Sequence, residues 1–180
     1  MKFKFLLTVV VFGFAGEGYA CKCGGPGTVQ ESFESTELIV YGKVVRKDTV
    51  QLFETIEEEN VSEVRKGLRD DEQLLQLFDK TYVLRIELEI IEKYKGENIQ
   101  KTVIIYTPLL SASCGFRFQK DQRYIVYASS KNFMNFLFRN KDGSKRYERK
   151  DTFWTSHCTR TTEYVRLEAD ELRTLKSQRH

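Results

Sequence analysis

Histidine is scarce: His157 and His180 are the only two in 180 residues. A histidine-built zinc centre or a Ser-His-Asp triad would have to rest on one internal histidine or on the last residue. No other nucleophile, base and acid stand in for them, so the chain reads as a non-enzyme with no cofactor of its own. Proline is equally rare, with two residues, and glycine numbers eleven, which excludes collagen-like and proline-rich disordered chains. An excess of one charge is missing too. Twenty-nine Lys and Arg face 26 Asp and Glu, a net +3 that is too small to predict nucleic acid as a partner. Long apolar runs are absent apart from Phe5–Phe14, which is too short for a stable membrane span. What remains is 41% hydrophobic and 31% charged, the composition of one folded domain with a real core.

Residues 1–20 read as a secretory signal peptide. Lys2 and Lys4 form its basic start, Phe5–Phe14 its apolar centre, and Gly18-Tyr19-Ala20 a small-x-small cleavage site. Cleavage there leaves 160 residues and lowers the net charge to +2, because the segment holds two lysines and one glutamate. The protein is then secreted, to the periplasm or beyond, and starts at Cys21. Lipidation of Cys21 is a minor alternative, since Gly18 stands where lipoproteins carry an aliphatic residue. All four cysteines, Cys21, Cys23, Cys114 and Cys158, lie after the cleavage site. An even count in an exported chain points to two disulfides, and of the three possible pairings Cys21–Cys23 is disfavoured by its single intervening residue. Closing a loop of about a hundred residues contributes up to roughly 4–5 kcal/mol in the chain-entropy picture. A zinc site from these cysteines and His157 is the rival, but Cys-x-Cys is not the usual knuckle spacing.

Along the chain, Thr28–Glu37 suits a short helix with Val29 and Phe33 inward, and Leu38–Val45 a strand. Tyr82–Ile91 alternates Tyr82, Leu84, Ile86, Leu88 and Ile90 with Arg85, Glu87 and Glu89, the period of a half-buried strand. A turn at Lys95–Asn98 leads to strands at Thr102–Thr107 and Arg123–Ala128. Phe133–Phe138 and Thr152–Ser156 flank Asp142-Gly143, a hairpin dipeptide. Residues 49–80 interrupt the pattern with an acid-rich insertion, partly helical and mobile at its acidic tip; a solvated loop is the plainer alternative. Leu167, Leu172 and Leu175 suit a terminal helix within 161–180. Five or six strands with this punctuation predict a small antiparallel barrel.

With the signal peptide ending directly before Cys-x-Cys, four stretches in order carry a likeness. They are Leu38–Val45, Ile90–Gly96 (IIEKYKG), Tyr106–Gly115 (YTPLLSASCG) and Thr155–Cys158 (TSHC). Together they resemble the tissue inhibitors of metalloproteinases and the wider netrin-like family, in a short form similar to bacterial secreted members. The resemblance spans about residues 21–160. It implies a mainly β OB-fold barrel of five to six strands with short flanking helices, stapled by disulfides Cys21–Cys114 and Cys23–Cys158. It implies a monomer whose partner is a zinc metalloendopeptidase. The α-amine and carbonyl of Cys21 would chelate that protease's zinc in trans, and Lys22 would enter its S1′ pocket. Cys23, Cys114 and Ser111-Ala112-Ser113 would support the inhibitory wedge.

Two departures stand out. Lys22 replaces the small Ser or Thr of animal inhibitors, and Gly24-Gly25 replaces a stiffer pair. They keep a second reading open, a netrin-like binding module in which Cys-Lys-Cys is only a staple. A third reading takes Arg139–Lys150, with six basic and two acidic residues beside Phe136, Phe138 and Tyr147, as a stacking surface for a polyanion.

Overall fold

Apolar alternation sets the sheet. In the computed structural model, which describes residues 23–97, 99–110, 113–131, 134–138, 147, 149 and 152–178, helix α1 (Val29–Ser35) precedes the long strand β1 (Leu38–Gln51). A 3₁₀ turn (Leu52–Thr55) and helices α2 (Glu58–Leu68) and α3 (Glu72–Lys80) connect β1 to an equally long β2 (Tyr82–Lys95). Strands β3 (Thr102–Pro108) and β4 (Arg123–Ala128) follow, then a 3₁₀ turn at Asn135–Phe138, β5 (Thr152–Trp154), β6 (Thr162–Glu163) and helix α4 (Arg166–Ser177).

The six strands form one sheet in the order β5-β3-β2-β1-β4-β6. Neighbours run antiparallel except β3 and β5, which pair in parallel from Ile104↔Thr152 to Tyr106↔Trp154. Ser129, at the end of β4, exchanges two backbone hydrogen bonds with Trp154 of β5, at 3.0 and 2.7 Å. This bridge joins the edge strand β5 to the end of β4, next to the opposite edge, and curls the sheet into an OB-like barrel. Register shifts between Ile39 and Val40, Tyr41 and Gly42, and Val44 and Arg46 give β1 its coil. At Gly42 a Cβ would stand 2.7 Å from the carbonyl oxygen of Glu89, so the close approach of β1 and β2 requires glycine there.

Side chains one residue apart in a strand face opposite ways. Leu38, Val40 and Val44 therefore point into the barrel with Leu84, Ile86, Leu88, Ile105 and Val126. Burying each such side chain contributes about 1.5–3 kcal/mol relative to exposure. Ile39, Tyr41, Ile125 and Tyr127 point outward beneath α1 and α4, where Val29, Phe33, Ala169 and Leu172 cover them. A third core lies under the insertion: Leu52, Ile56, Val64 and Phe78 meet Val83, Tyr106, Leu137, Phe138 and Trp154.

Several sequence expectations change here. The acidic insertion is not a solvated loop. Its acidic stretch is helical in α2, and the apolar stripes of α2 and α3 seat on the sheet through Val64 and Phe78. Its presence explains why Val83, on the supposed solvent side of β2, is fully buried while Tyr82 is half exposed. The stretches expected to flank the Asp142-Gly143 turn are not paired strands. Asp142, Gly143 and Phe133 lie outside the described residues, but Asn135–Phe138 is a 3₁₀ turn and β5 pairs with β3 in parallel. Leu137 and Phe138 gain more by burial under the insertion than a two-stranded ribbon would offer. In α4, Leu167 is 81% exposed, because Ala169 and Leu172 occupy the inward face and Leu167 sits on the other side of the helix.

Candidate functional site at the stapled end

The described chain starts at Cys23, whose sulfur is bonded to Cys158 with the Cα atoms 5.2 Å apart. Cys114 is also disulfide-bonded. The sulfurs of Cys23, Cys114 and Cys158 all lie within 4.8 Å of one another. Residues distant in sequence thus converge at one half-buried point beside the chain's start. Since these sulfurs are spent in disulfides, they offer no thiolate to a metal, and the zinc alternative loses its ligands. Cys21, Lys22, Ser111 and Ala112 lie outside the described residues. Ser113 is described and exposed, next to Cys114.

The loop that presents Cys114 is tightly wound. The backbone N–H groups of Ser113 and Gly115 both donate to the Leu110 carbonyl, at 3.0 and 2.9 Å, and the Ser113 hydroxyl donates there too, at 2.9 Å. Cys114 adopts a left-handed φ of 66°, uncommon for a side-chain-bearing residue. A Cβ at position 115 would stand 2.1 Å from the Pro108 carbonyl oxygen, so only glycine can follow Cys114. The fully buried Thr107 accepts the Phe116 N–H at 2.9 Å, fixing the loop to β3. The His157 N–H donates to the Cys114 carbonyl at 2.7 Å and joins the two half-cystine segments.

Below Cys158 the chain is held by hydroxyls. Thr155 bonds Thr159 at 2.8 Å and Thr161 at 2.6 Å, and also donates to the Tyr127 carbonyl at 2.9 Å. Thr161 accepts the Tyr127 N–H at 3.0 Å. Arg160 then spans the gap to the N-terminal arm. Its guanidinium donates to the Gly27 carbonyl at 2.8 Å and forks onto both oxygens of Glu168 in α4, at 3.1 and 3.2 Å. The Tyr127 hydroxyl completes this buried set by donating to Glu168 at 2.7 Å. Burial, and then the Glu168 carboxylate, push the Tyr127 phenol well above its ordinary range. Sequence reading missed Arg160, Glu168 and the threonines, because polar residues spaced this way carry no motif.

The polyanion reading loses two of its three aromatics. Tyr147 is buried and donates its hydroxyl to Glu63 at 2.9 Å, and Phe138 is fully buried against Phe78. Aromatics enclosed in a core have no face left for a base or sugar. Most of Arg139–Lys150 lies outside the described residues.

The site is therefore an architectural end. Two half-cystine segments and a clamped arm hold the chain just after Cys21 and Lys22, with Leu109 and Leu110 exposed beside them. Among the described residues no helix is long and apolar enough to cross a membrane. No curated protein matches the chain. A family model described as tissue inhibitor of metalloproteinase matches residues 19–135, about two thirds of the sequence. The match starts just before Cys21 and takes in Cys23 and Cys114, and the chain belongs to the tissue inhibitor of metalloproteinase family, whose members are inhibitors and not enzymes.

Proposed function

We propose that this protein is a secreted inhibitor of a zinc metalloendopeptidase, acting as a monomer through its own N-terminus. Loss of residues 1–20 frees the α-amine of Cys21, with a pKa of roughly 7.7–8.0 for such a group, so a lone pair is available near neutral pH. That amine and the Cys21 carbonyl chelate the target's zinc, Lys22 probes the S1′ pocket, and Cys23, Cys114 and Ser111-Ala112-Ser113 brace the wedge. The reading rests on the convergence of Cys23, Cys114 and Cys158 within 4.8 Å, which anchors the chain two residues from Cys21. Such pre-organisation lowers the entropy lost on binding. Burial of the Lys22 ammonium in an apolar pocket would be costly, so the matching protease has an acidic or shallow S1′ site.

One observation favours the alternative, a netrin-like interaction module that inhibits nothing. Around Gly24 and Gly25 no atom lies within 4 Å of where a Cβ would stand, and Gly25 has a φ of +80°, so the arm after Cys23 is loosely packed. The deciding experiment measures inhibition of a panel of zinc endopeptidases by protein starting at Cys21 and by the same protein with one extra Ala before it. Inhibition by the first alone is the expected outcome. If neither form inhibits, or both do equally, zinc chelation by the Cys21 amine is wrong.

A further inference from the structure

One cavity bordered by described residues shares none of its lining with the staple. It is an open cleft of about 870 Å³ between the outer face of the sheet and the insertion. Its floor is a row of cross-strand neighbours: Asp48 on β1 is opposite Arg85 on β2, and Arg85 is opposite Tyr106 on β3. The far wall is apolar, with Phe53, Ile56 and Val61 from the 3₁₀ turn and α2. That volume is within the range of small-molecule sites, and apolar walls around a few convergent polar groups are their usual composition.

The charges around the cleft are unevenly paired. Four arginines, at 46, 65, 85 and 149, line it with Asp48, Glu54 and Glu58, and two further carboxylates, Asp79 and Glu57, pair with Arg65 and Arg149. Two of the arginines are held tightly: Arg46 pairs with Asp48 at 2.7 Å, and Arg65 with Asp79 at 2.8 Å while lying over the Phe53 ring. The other two are not. Arg85 reaches Asp48 only at 3.5 Å, on the same oxygen that Arg46 already occupies. The buried Nε of Arg149 stands 3.5 Å from a Glu57 carboxylate oxygen and makes no hydrogen bond. Both act on the buried Tyr106 hydroxyl, which burial pushes up in pKa and the two guanidiniums pull back down. A buried guanidinium donor without an acceptor costs free energy, and a planar oxyanion is the group that fits its fork.

We infer that this cleft binds a small molecule carrying a carboxylate or phosphate on an apolar or aromatic body, its oxyanion held by Arg85, Arg149 and the Tyr106 hydroxyl against the Phe53 wall. None of these residues belongs to the stapled end, so the site stands or falls independently of protease inhibition.

Titration calorimetry of the purified protein with phenyl phosphate, benzoate and neutral benzyl alcohol tests it. Saturable one-site binding of at least one anion, and none of the alcohol, is expected; which anion binds tells phosphate from carboxylate chemistry. Arg149→Gln should weaken that binding about ten-fold or more, as loss of a charged hydrogen bond does. Arg149→Lys, which keeps the charge but loses the fork, should weaken it as well. Arg123→Gln, on β4 outside the cleft, should leave it unchanged. Arg85→Gln is the second variant but loosens Asp48 and Tyr106, so the Arg149 variants, which disturb one long contact, carry the test if it does not fold. No binding of either anion, equal binding of the alcohol, or undiminished binding by folded Arg149→Gln would overturn the inference.

Discussion

The barrel wears helices on two of its outer faces, and the two coverings differ in how their charges are matched. Under α1 and α4 the polar groups satisfy one another. Arg160 forks onto Glu168, Tyr127 donates to the same carboxylate, and Arg173 of α4 forks onto Glu92 of β2 at 2.7 and 2.9 Å. Lys95 adds a 2.6 Å bond to the Phe33 carbonyl at the end of α1. Under the insertion the apolar core is just as well sealed, yet two guanidiniums reach their carboxylates only at 3.5 Å. A charge satisfied inside the fold fixes geometry, as on the face that clamps the N-terminal arm. A charge left short of partners beside a cavity is available to something outside the fold.

The comparison breaks first, and most heavily, at Phe78. This residue is fully buried between Phe53 and Phe138, and its replacement by alanine should destabilise the protein by about 3–5 kcal/mol. Urea unfolding measures the loss. A change below about 1 kcal/mol would mean that the insertion is an appendage and not a sealed second core. Next comes Glu168→Ala, which strands Arg160 and the Tyr127 hydroxyl in a buried site. The expected cost is roughly 2–4 kcal/mol, at the lower end because Arg160 is partly exposed. Equal stability of wild type and variant would show that the two faces do not differ as argued.

Arg173→Ala probes the smallest effect and its pH dependence. The hydrogen bond from Arg173 is the largest of the influences holding the Glu92 carboxyl below its ordinary value of 4.5, against the opposing effect of burial. A carboxyl depressed in the folded state stabilises the protein above its unfolded pKa, and that contribution is lost as the pH falls toward the folded one. The variant should therefore have a lower Tm than wild type near neutrality, lose Tm less steeply below about pH 4.5, and converge on wild type in acid. Parallel acid limbs for the two proteins would remove the Glu92–Arg173 link from the account.

Much of the fold was legible in local pattern. The apolar alternation of Leu84, Ile86 and Leu88 marked β2, Val29 and Phe33 marked the inward face of α1, and Arg123–Ala128 matched β4 at both ends. The insertion was harder. Its apolar residues are sparse within an acid-rich stretch, and what covers them, Leu137, Phe138 and Tyr147, comes from a distant part of the chain. The partner of Thr152–Trp154 could not be read from the Asp142-Gly143 dipeptide, because a turn signal states only a local preference, whereas Trp154 pairs with Tyr106 and Ser129.

By itself the sequence determined the cysteine pattern, the strand periods and the family, since these are carried by neighbouring residues and their spacing. Only the tertiary structure decided that β5 would run parallel to β3, that Arg160 would hold the arm at Gly27, and that Arg85, Tyr106 and Arg149 would line one cleft with the Arg149 Nε left without a hydrogen bond. The physical reason is that charge balance and hydrogen-bond satisfaction belong to groups brought together across strands and loops, and no local stretch of chain specifies who those neighbours will be.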